Sequence, residues 1–216
     1  EAEAFAQLDC AIDHGVNLID TAEMYPVPPQ KKTFTRTEQI IGNWIQSRKS
    51  RQNIVLATKV VGPTLENRAM GSYIRDGVNH LSRKNIESAL EGSLRRLNTE
   101  TIDIYQIHWP DRIVNIFGQQ EFKPPENVEI ENAKIPETLE TLENLRKDGK
   151  IRAYGVSNET PWGVMQYLGF AENNGWGRIA SIQNPYNLLN RTFESGLAEI
   201  SYRESVGLLA YSPLAF

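Results

Sequence analysis

The sequence predicts an α/β protein built as a (β/α)8 barrel, incomplete in this chain because the first and last strands are missing. Three observations predict it. Short apolar, β-branched-rich runs alternate strictly with helical patterns, and strict alternation implies parallel strands joined by right-handed crossovers. No Gly-x-Gly-x-x-Gly follows any of these runs, which disfavours the open dinucleotide-binding sheet. Polar residues recur after run after run, as in barrels whose chemistry gathers at the C-terminal face of the strands.

The predicted strands occupy 16–20, 54–60, 101–107, 151–156, 180–184 and 206–211. Each is short and nearly continuous in apolar character, as expected of parallel strands covered on both faces. Before the first strand, Phe5, Leu8 and Ile12 share a helical face, and Gly15 is a natural stop. Ile40, Ile41, Trp44 and Ile45 form the next stripe, entered through Thr35-x-x-Glu38, the spacing of a capping box. Ile86, Ala89, Leu90, Leu94 and Leu97 form a third stripe, opened by Ser82. Leu139, Leu142 and Leu145 form a fourth, with Pro136 near its first turn and Gly149 closing it. Thr160-Pro161 opens a fifth helix carrying Val164, Met165 and Leu168. Phe193, Leu197 and Ile200 are placed on a sixth.

Two connections, 61–81 and 109–135, are long and rich in Gly, Pro, Asn and charge. The second contains Lys123-Pro124-Pro125-Glu126. Both follow strands, so both belong to the face where the polar residues gather, and long loops there form lids or substrate walls. Residues 1–216 read as one barrel domain. A whole barrel runs to ~250 residues, so one strand is expected before residue 1 and one after Phe216. The lack of an initiator Met and the abrupt end at Ser212-Pro213-Leu214-Ala215-Phe216 fit that expectation.

Composition narrows the function classes. The 216 residues are 40% hydrophobic and 23% charged, with a net charge of -4. That suits a single packed core and gives no electrostatic footprint for nucleic acid or an anionic membrane. No run approaches the ~20 apolar residues of a bilayer span, and Glu1-Ala2-Glu3-Ala4-Phe5 reads as helix rather than signal peptide. The single cysteine, Cys10, points to a reducing compartment, and the expected location is the cytoplasm. Lying in a helical pattern, Cys10 is expected to be a small buried hydrophobe.

Four polar residues lie at or just beyond the ends of the first three strands: Asp20 and Tyr25, Lys59, and His108. A carboxylate, a phenol, an amine and an imidazole in one pocket make a proton-transfer site. A phenol ordinarily titrates near 10, and an ammonium beside it would lower that value. Lys59 can fill that role, Asp20 can hold Lys59 charged, and His108 can direct an N–H at a carbonyl oxygen. Together they could polarise a C=O and deliver a proton to the alkoxide formed by nucleophilic or hydride attack. Taken singly, each residue has an ordinary reading: a turn cap, a loop aromatic, a solvent-reaching amine, a satisfied histidine. Their recurrence at corresponding strand ends favours the joint reading. No metal ligand is assigned.

Asp20-Thr21-Ala22-Glu23-Met24-Tyr25, Thr58-Lys59 and Gln106-Ile107-His108-Trp109 resemble the aldo-keto reductases in order and local spacing. So do Gly155-Val156-Ser157-Asn158, Gln183-Asn184-Pro185-Tyr186 and Tyr211-Ser212-Pro213-Leu214, and the Lys150-Ile151-Arg152 turn. The likeness covers essentially the whole chain and is nearest the bacterial Tas-type branch, notably in Tyr25-Pro26-Val27-Pro28 and the long loop after Trp109. The resemblance implies NADPH-dependent reduction of an aldehyde or ketone to an alcohol. It makes Tyr25 the general acid, assisted by Lys59 and Asp20, with His108 orienting the carbonyl. It also implies that Ser157, Asn158 and Gln183 hold the nicotinamide carboxamide, that Tyr211 stacks on the ring, and that Ser212 and Leu214 begin a loop along the pyrophosphate. The family's contacts to the 2′-phosphate would lie beyond Phe216, so the preference for NADP(H) comes from the resemblance alone. Potassium-channel β subunits resemble the same family, which keeps a cofactor-sensing binding module as the alternative. The substrate and the oligomeric state are not legible.

Overall fold

The computed structural model describes residues 1–64, 71–118, 121–122, 124 and 134–215. The remaining parts of the two long connections, including Lys123, Pro125 and Glu126, lie outside the described residues, as does Phe216. Six strands form one sheet: β1 Leu18–Asp20, β2 Val55–Val60, β3 Ile102–Ile107, β4 Ile151–Ser157, β5 Ser181–Pro185 and β6 Gly207–Tyr211. Every neighbouring pair is parallel, and the spatial order is the sequence order, β1 to β6. A doubly wound sheet reverses its order at a switch point. Consecutive order without reversal is instead that of part of a barrel wall.

The helices are α1 Ala2–Asp13, α2 Arg36–Arg48, α3 Arg83–Arg96, α4 Lys134–Lys147, α5 Pro161–Asn174 and α6 Leu197–Glu204. They cover the sheet on its outer face. Their apolar stripes meet the outward-pointing strand residues in one cluster that includes Trp44, Leu56, Leu90, Ile102, Leu142 and Tyr154. Both predicted glycine stops are made as expected. Gly15 N–H donates to the Ile12 carbonyl and Val16 N–H to Ala11. Gly149 N–H donates to Arg146 and Lys150 N–H to Leu145. Each is the paired-bond ending that a left-handed residue after the helix permits.

Several local expectations fail, each for a physical reason. Thr35 adopts φ 70° and its side chain makes no cap bond. Glu38 does not reach back to it. Its carboxylate is fully buried, accepting from Thr58 Oγ1 at 2.6 Å and Arg96 Nε at 2.6 Å, so it ties α2 to β2 and α3. Ser82 precedes α3 but makes no side-chain cap bond, whereas Thr160 caps α5 through the Gly163 N–H at 3.3 Å. Met165 lies on the exposed side of α5 and Phe193 on a short 3-10 turn before α6. Cys10 is exposed on α1, because Phe5, Leu8 and Ile12 already occupy the face that packs on the core.

Candidate functional site

The acid–base residues gather where the first three strands end. Alternation along β3 directs Ile104, Gln106 and His108 to the inner face and Tyr105 and Ile107 to the helices. In register, Lys59 on β2 lies beside Gln106 on β3, and Asp20 is the last residue of β1. After Asp20 the chain stays alongside β2, with Thr21 N–H donating to Ala57 O at 2.9 Å and Glu23 N–H to Lys59 O at 3.3 Å. Glu23, nearly inaccessible, anchors this turn. Its carboxylate accepts from Val61 N–H at 2.8 Å and takes both Arg75 guanidinium nitrogens at 2.7 and 2.9 Å. Ala22 and Met24 bury against Val61, Ile74 and Trp109. Residues at alternate positions of the turn are thus fixed into the protein, and Tyr25 is presented beside the pocket. Gly62 permits the close approach behind it, since a Cβ there would fall 2.4 Å from the Trp109 ring and carbonyl.

Lys59 is completely buried. Its ammonium donates to Asp20 Oδ2 at 2.6 Å and to the Thr21 carbonyl at 2.7 Å. The same nitrogen lies 5.1 Å from the centre of the Tyr25 ring. Tyr25 and His108 meet edge to face with centroids 5.6 Å apart. All four predicted residues therefore share one pocket. Burial lowers the Lys59 pKa, opposed by the charge of Asp20 and its hydrogen bond. Burial, and secondarily the Lys59 charge, holds His108 well below its usual range, so its imidazole is neutral at pH 7.

Tyr25 departs from expectation. From sequence, the Lys59 ammonium should lower the phenol's pKa. Instead the phenol is pushed up to about 12, first by burial, then by the carboxylate of Asp20 and by Tyr211. The cation is spent on Asp20 and Thr21, while the phenol sits in a poorly hydrated place beside a carboxylate. Tyr25 is therefore fully protonated at neutral pH.

The second predicted group lies on β4 to β6. Ser157 Oγ donates to the Gln183 carbonyl at 2.7 Å, and Asn158 Nδ2 donates to the His108 carbonyl at 2.9 Å. Tyr211 Oη donates to Asn158 Oδ1 at 2.7 Å. Asn158 thus ties the tip of β6 to the residue that carries the imidazole. The Gln183 side-chain amide makes no hydrogen bond among the described residues. Ser212 takes φ 52° with its carbonyl held by Asn187 Nδ2 at 2.9 Å, and Leu214 is exposed. A cleft of about 650 Å³ opens at these strand ends, between Asn115, Phe117, Asn158, Asn184, Phe193 and Tyr211. Another, of about 770 Å³, lies at the opposite ends of β2 to β4. Its Arg51 and Arg152 are both paired with Asp103 at 2.8 and 2.9 Å.

One member of the pocket escaped the sequence reading. Gln106 Nε2 donates to Asp20 Oδ1 at 3.2 Å. The signal was available: an amide at an inward position of an otherwise apolar strand, two residues before His108.

The described residues contain no helix long and apolar enough to cross a membrane. Comparison with known proteins agrees with the geometry. The family model described as "Aldo/keto reductase family" matches residues 1–216. Protein tas of Escherichia coli strain K12 is 49% identical over 216 residues, covering 100% of this chain and 61% of that protein. Aldo-keto reductase YhdN of Bacillus subtilis is 30% identical over 214 residues, covering 99% of this chain and 53% of its own length. An aldo/keto reductase from Klebsiella pneumoniae, solved in complex with NADP and acetate, superposes with a TM-score of 0.69 at 30% identity, covering 98% of this chain and 58% of that one. The chain thus spans about three-fifths of the length of such relatives, and across that span it belongs to the aldo/keto reductase family.

Proposed function

We propose that this chain carries the catalytic half of an NADPH-dependent carbonyl reductase, converting an aldehyde or ketone to an alcohol. The observation that carries the proposal is the fully buried Lys59 ammonium, paired with the partly exposed Asp20 carboxylate and lying under Tyr25, with His108 against the same ring. A buried ammonium is costly unless paired, and here it is placed below a phenol that holds a proton at neutral pH. The relatives' NADP and NADPH complexes support the cofactor assignment. In this chain, Ser157, Asn158 and Gln183 would hold the carboxamide and Tyr211 would cover the ring, with Ser212 and Leu214 leading toward the phosphates. The fold proposed for the whole protein is the closed (β/α)8 barrel.

The cofactor, when bound, supplies the hydride that goes to the carbonyl carbon. The chain supplies the rest. Neutral His108 directs a ring N–H at the carbonyl oxygen and polarises the bond without adding a charge. Tyr25 gives its hydroxyl proton to that oxygen as charge develops on it. The phenolate left behind is stabilised by the Lys59 ammonium 5.1 Å from the ring, whose charge Asp20 maintains. General-acid assistance of this kind contributes about 10²–10⁴-fold to rate. Incubating the full-length protein with NADPH and a panel of aldehydes and ketones should consume NADPH absorbance with at least one of them. Tight NADPH binding without turnover of any carbonyl would contradict the proposal and favour the sensing module.

A further inference from the structure

Gln106 has a burial that packing alone does not explain. It is completely inaccessible, yet its Oε1 has no hydrogen-bond partner among the described residues. A buried amide left half-satisfied calls for an explanation. Its one side-chain bond among the described residues is Nε2 to Asp20 Oδ1. Asp20 is thereby held at both oxygens: Oδ2 takes the Lys59 ammonium and Oδ1 takes Gln106. This matters because Asp20 is the last residue of its strand and its side chain is partly exposed. A single bond to Lys59 would leave the carboxylate free to turn toward water.

The register shows how the amide is wedged. Lys59, Gln106, Gly155 and Ser181 form one row across β2 to β5. A Cβ at Gly155 would lie 3.5 Å from Gln106 Cγ and 2.5 Å from Ser181 Oγ. The glycine is needed for Ser181, while the Gln106 stem lies at ordinary contact distance from β4 and its head reaches β1.

We propose that Gln106 is a positioning residue that orients Asp20 and, through it, sets the charge of Lys59 and the proton affinity of Tyr25. The charged and titratable groups facing Lys59 are Asp20 from β1, Tyr25 from the following turn, Glu38 from α2 and His108 from the end of β3. Of these, only Asp20 is in direct contact with the ammonium and also bonded to Gln106. Burial already pulls the Lys59 pKa down, and Asp20 is the main opposing influence. Loosening Asp20 therefore favours the neutral amine, which cannot stabilise a Tyr25 phenolate.

The test titrates Lys59 by nitrogen-detected NMR in the full-length protein, wild type against Gln106→Leu. The Lys59 midpoint should fall by about one pH unit in the variant. If the leucine variant fails to fold, Gln106→Asn replaces it, since the shorter amide loses its reach and should also lower the midpoint. A purely structural role would lower Tm in each variant and leave the midpoint unmoved, which overturns the inference. The kinetic consequence rests on the carbonyl-reduction reading: the alkaline limb of kcat should move down by the same interval, with KM changed less. The titration needs no turnover, so an inactive wild type would sink the reduction reading while leaving the Gln106 inference to be decided by the midpoint.

Discussion

At Tyr25 two electrostatic influences compete, and the structure decides between them. A cation lies 5.1 Å from the ring, but burial and the Asp20 carboxylate prevail and raise the phenol to about 12. On the proposed reading the residue is a loaded proton donor, and the cation would act on the phenolate formed afterwards. Lys59→Met should lower kcat by about 10²–10⁴-fold and also lower Tm, because Asp20 and the Thr21 carbonyl lose the ammonium that satisfies them; turnover and a thermal melt check both halves. His108, held neutral, should show constant ring chemical shifts from pH 8 to pH 6, where an exposed histidine titrates. The identities of Asp20, Lys59 and His108 were legible because polar groups at the ends of apolar runs stand out in a linear sequence. The direction of the Tyr25 shift was not legible, since it depends on how much of the phenol the fold hides. Gln106 was legible only through the period-two alternation of β3, which assigns it to the same face as His108.

Elements are joined here by buried charges as well as by apolar stripes. Glu38 binds α2 to β2 and α3 through Thr58 and Arg96, and Arg112 pairs with Glu159 ahead of α5. Where α2 crosses the end of α3, Gly42 allows backbone contact: a Cβ there would stand 2.0 Å from the Arg96 carbonyl oxygen. Alanine normally favours a helix over glycine by ~1 kcal/mol, but overpacking costs about 1–3 kcal/mol or more, and this overlap is with backbone that cannot swing aside. Gly42→Ala should therefore lower stability by about 1–2 kcal/mol net, measured by urea unfolding; a stabilised variant would show that α2 and α3 can separate freely. Strand and helix placement was legible because parallel strands read as continuous apolar runs and the glycine stops act locally. The capping box was misread because Glu38 finds stronger partners on β2 and α3, which are distant in sequence. Met165 and Cys10 were misplaced because a helix buries one stripe, and sequence cannot say which borderline positions fall outside it.

Among the described residues of the whole molecule, the shifted carboxylates all point one way. Glu143, bonded to Arg146, Tyr154 and the Gly177 N–H, and Asp9, bonded to Arg48 and Trp44, are both held near 2. Their folded values lie below the ordinary values of 4.5 for a glutamate and 3.8 for an aspartate, so the stability each contributes is present above its ordinary value and is lost as pH falls toward 2. Neutral His108 acts in the same sense below about 6.5, because the unfolded chain takes up a proton there that the folded chain refuses. Tm should thus decline on acidification from pH 6.5 to pH 3, and Glu143→Gln should flatten the part of that decline below pH 4.5. A profile with no acid slope would contradict these assignments. The central claim of the proposed function is that Tyr25 is the proton donor to a carbonyl oxygen. The most direct test is single-turnover hydride transfer from NADPH to an aromatic aldehyde in the full-length protein, Tyr25→Phe against wild type, with the NADPH Kd measured in parallel. The account predicts an unchanged Kd and a rate reduced by about 10²–10⁴-fold; hydride transfer at the wild-type rate in the phenylalanine variant would contradict it.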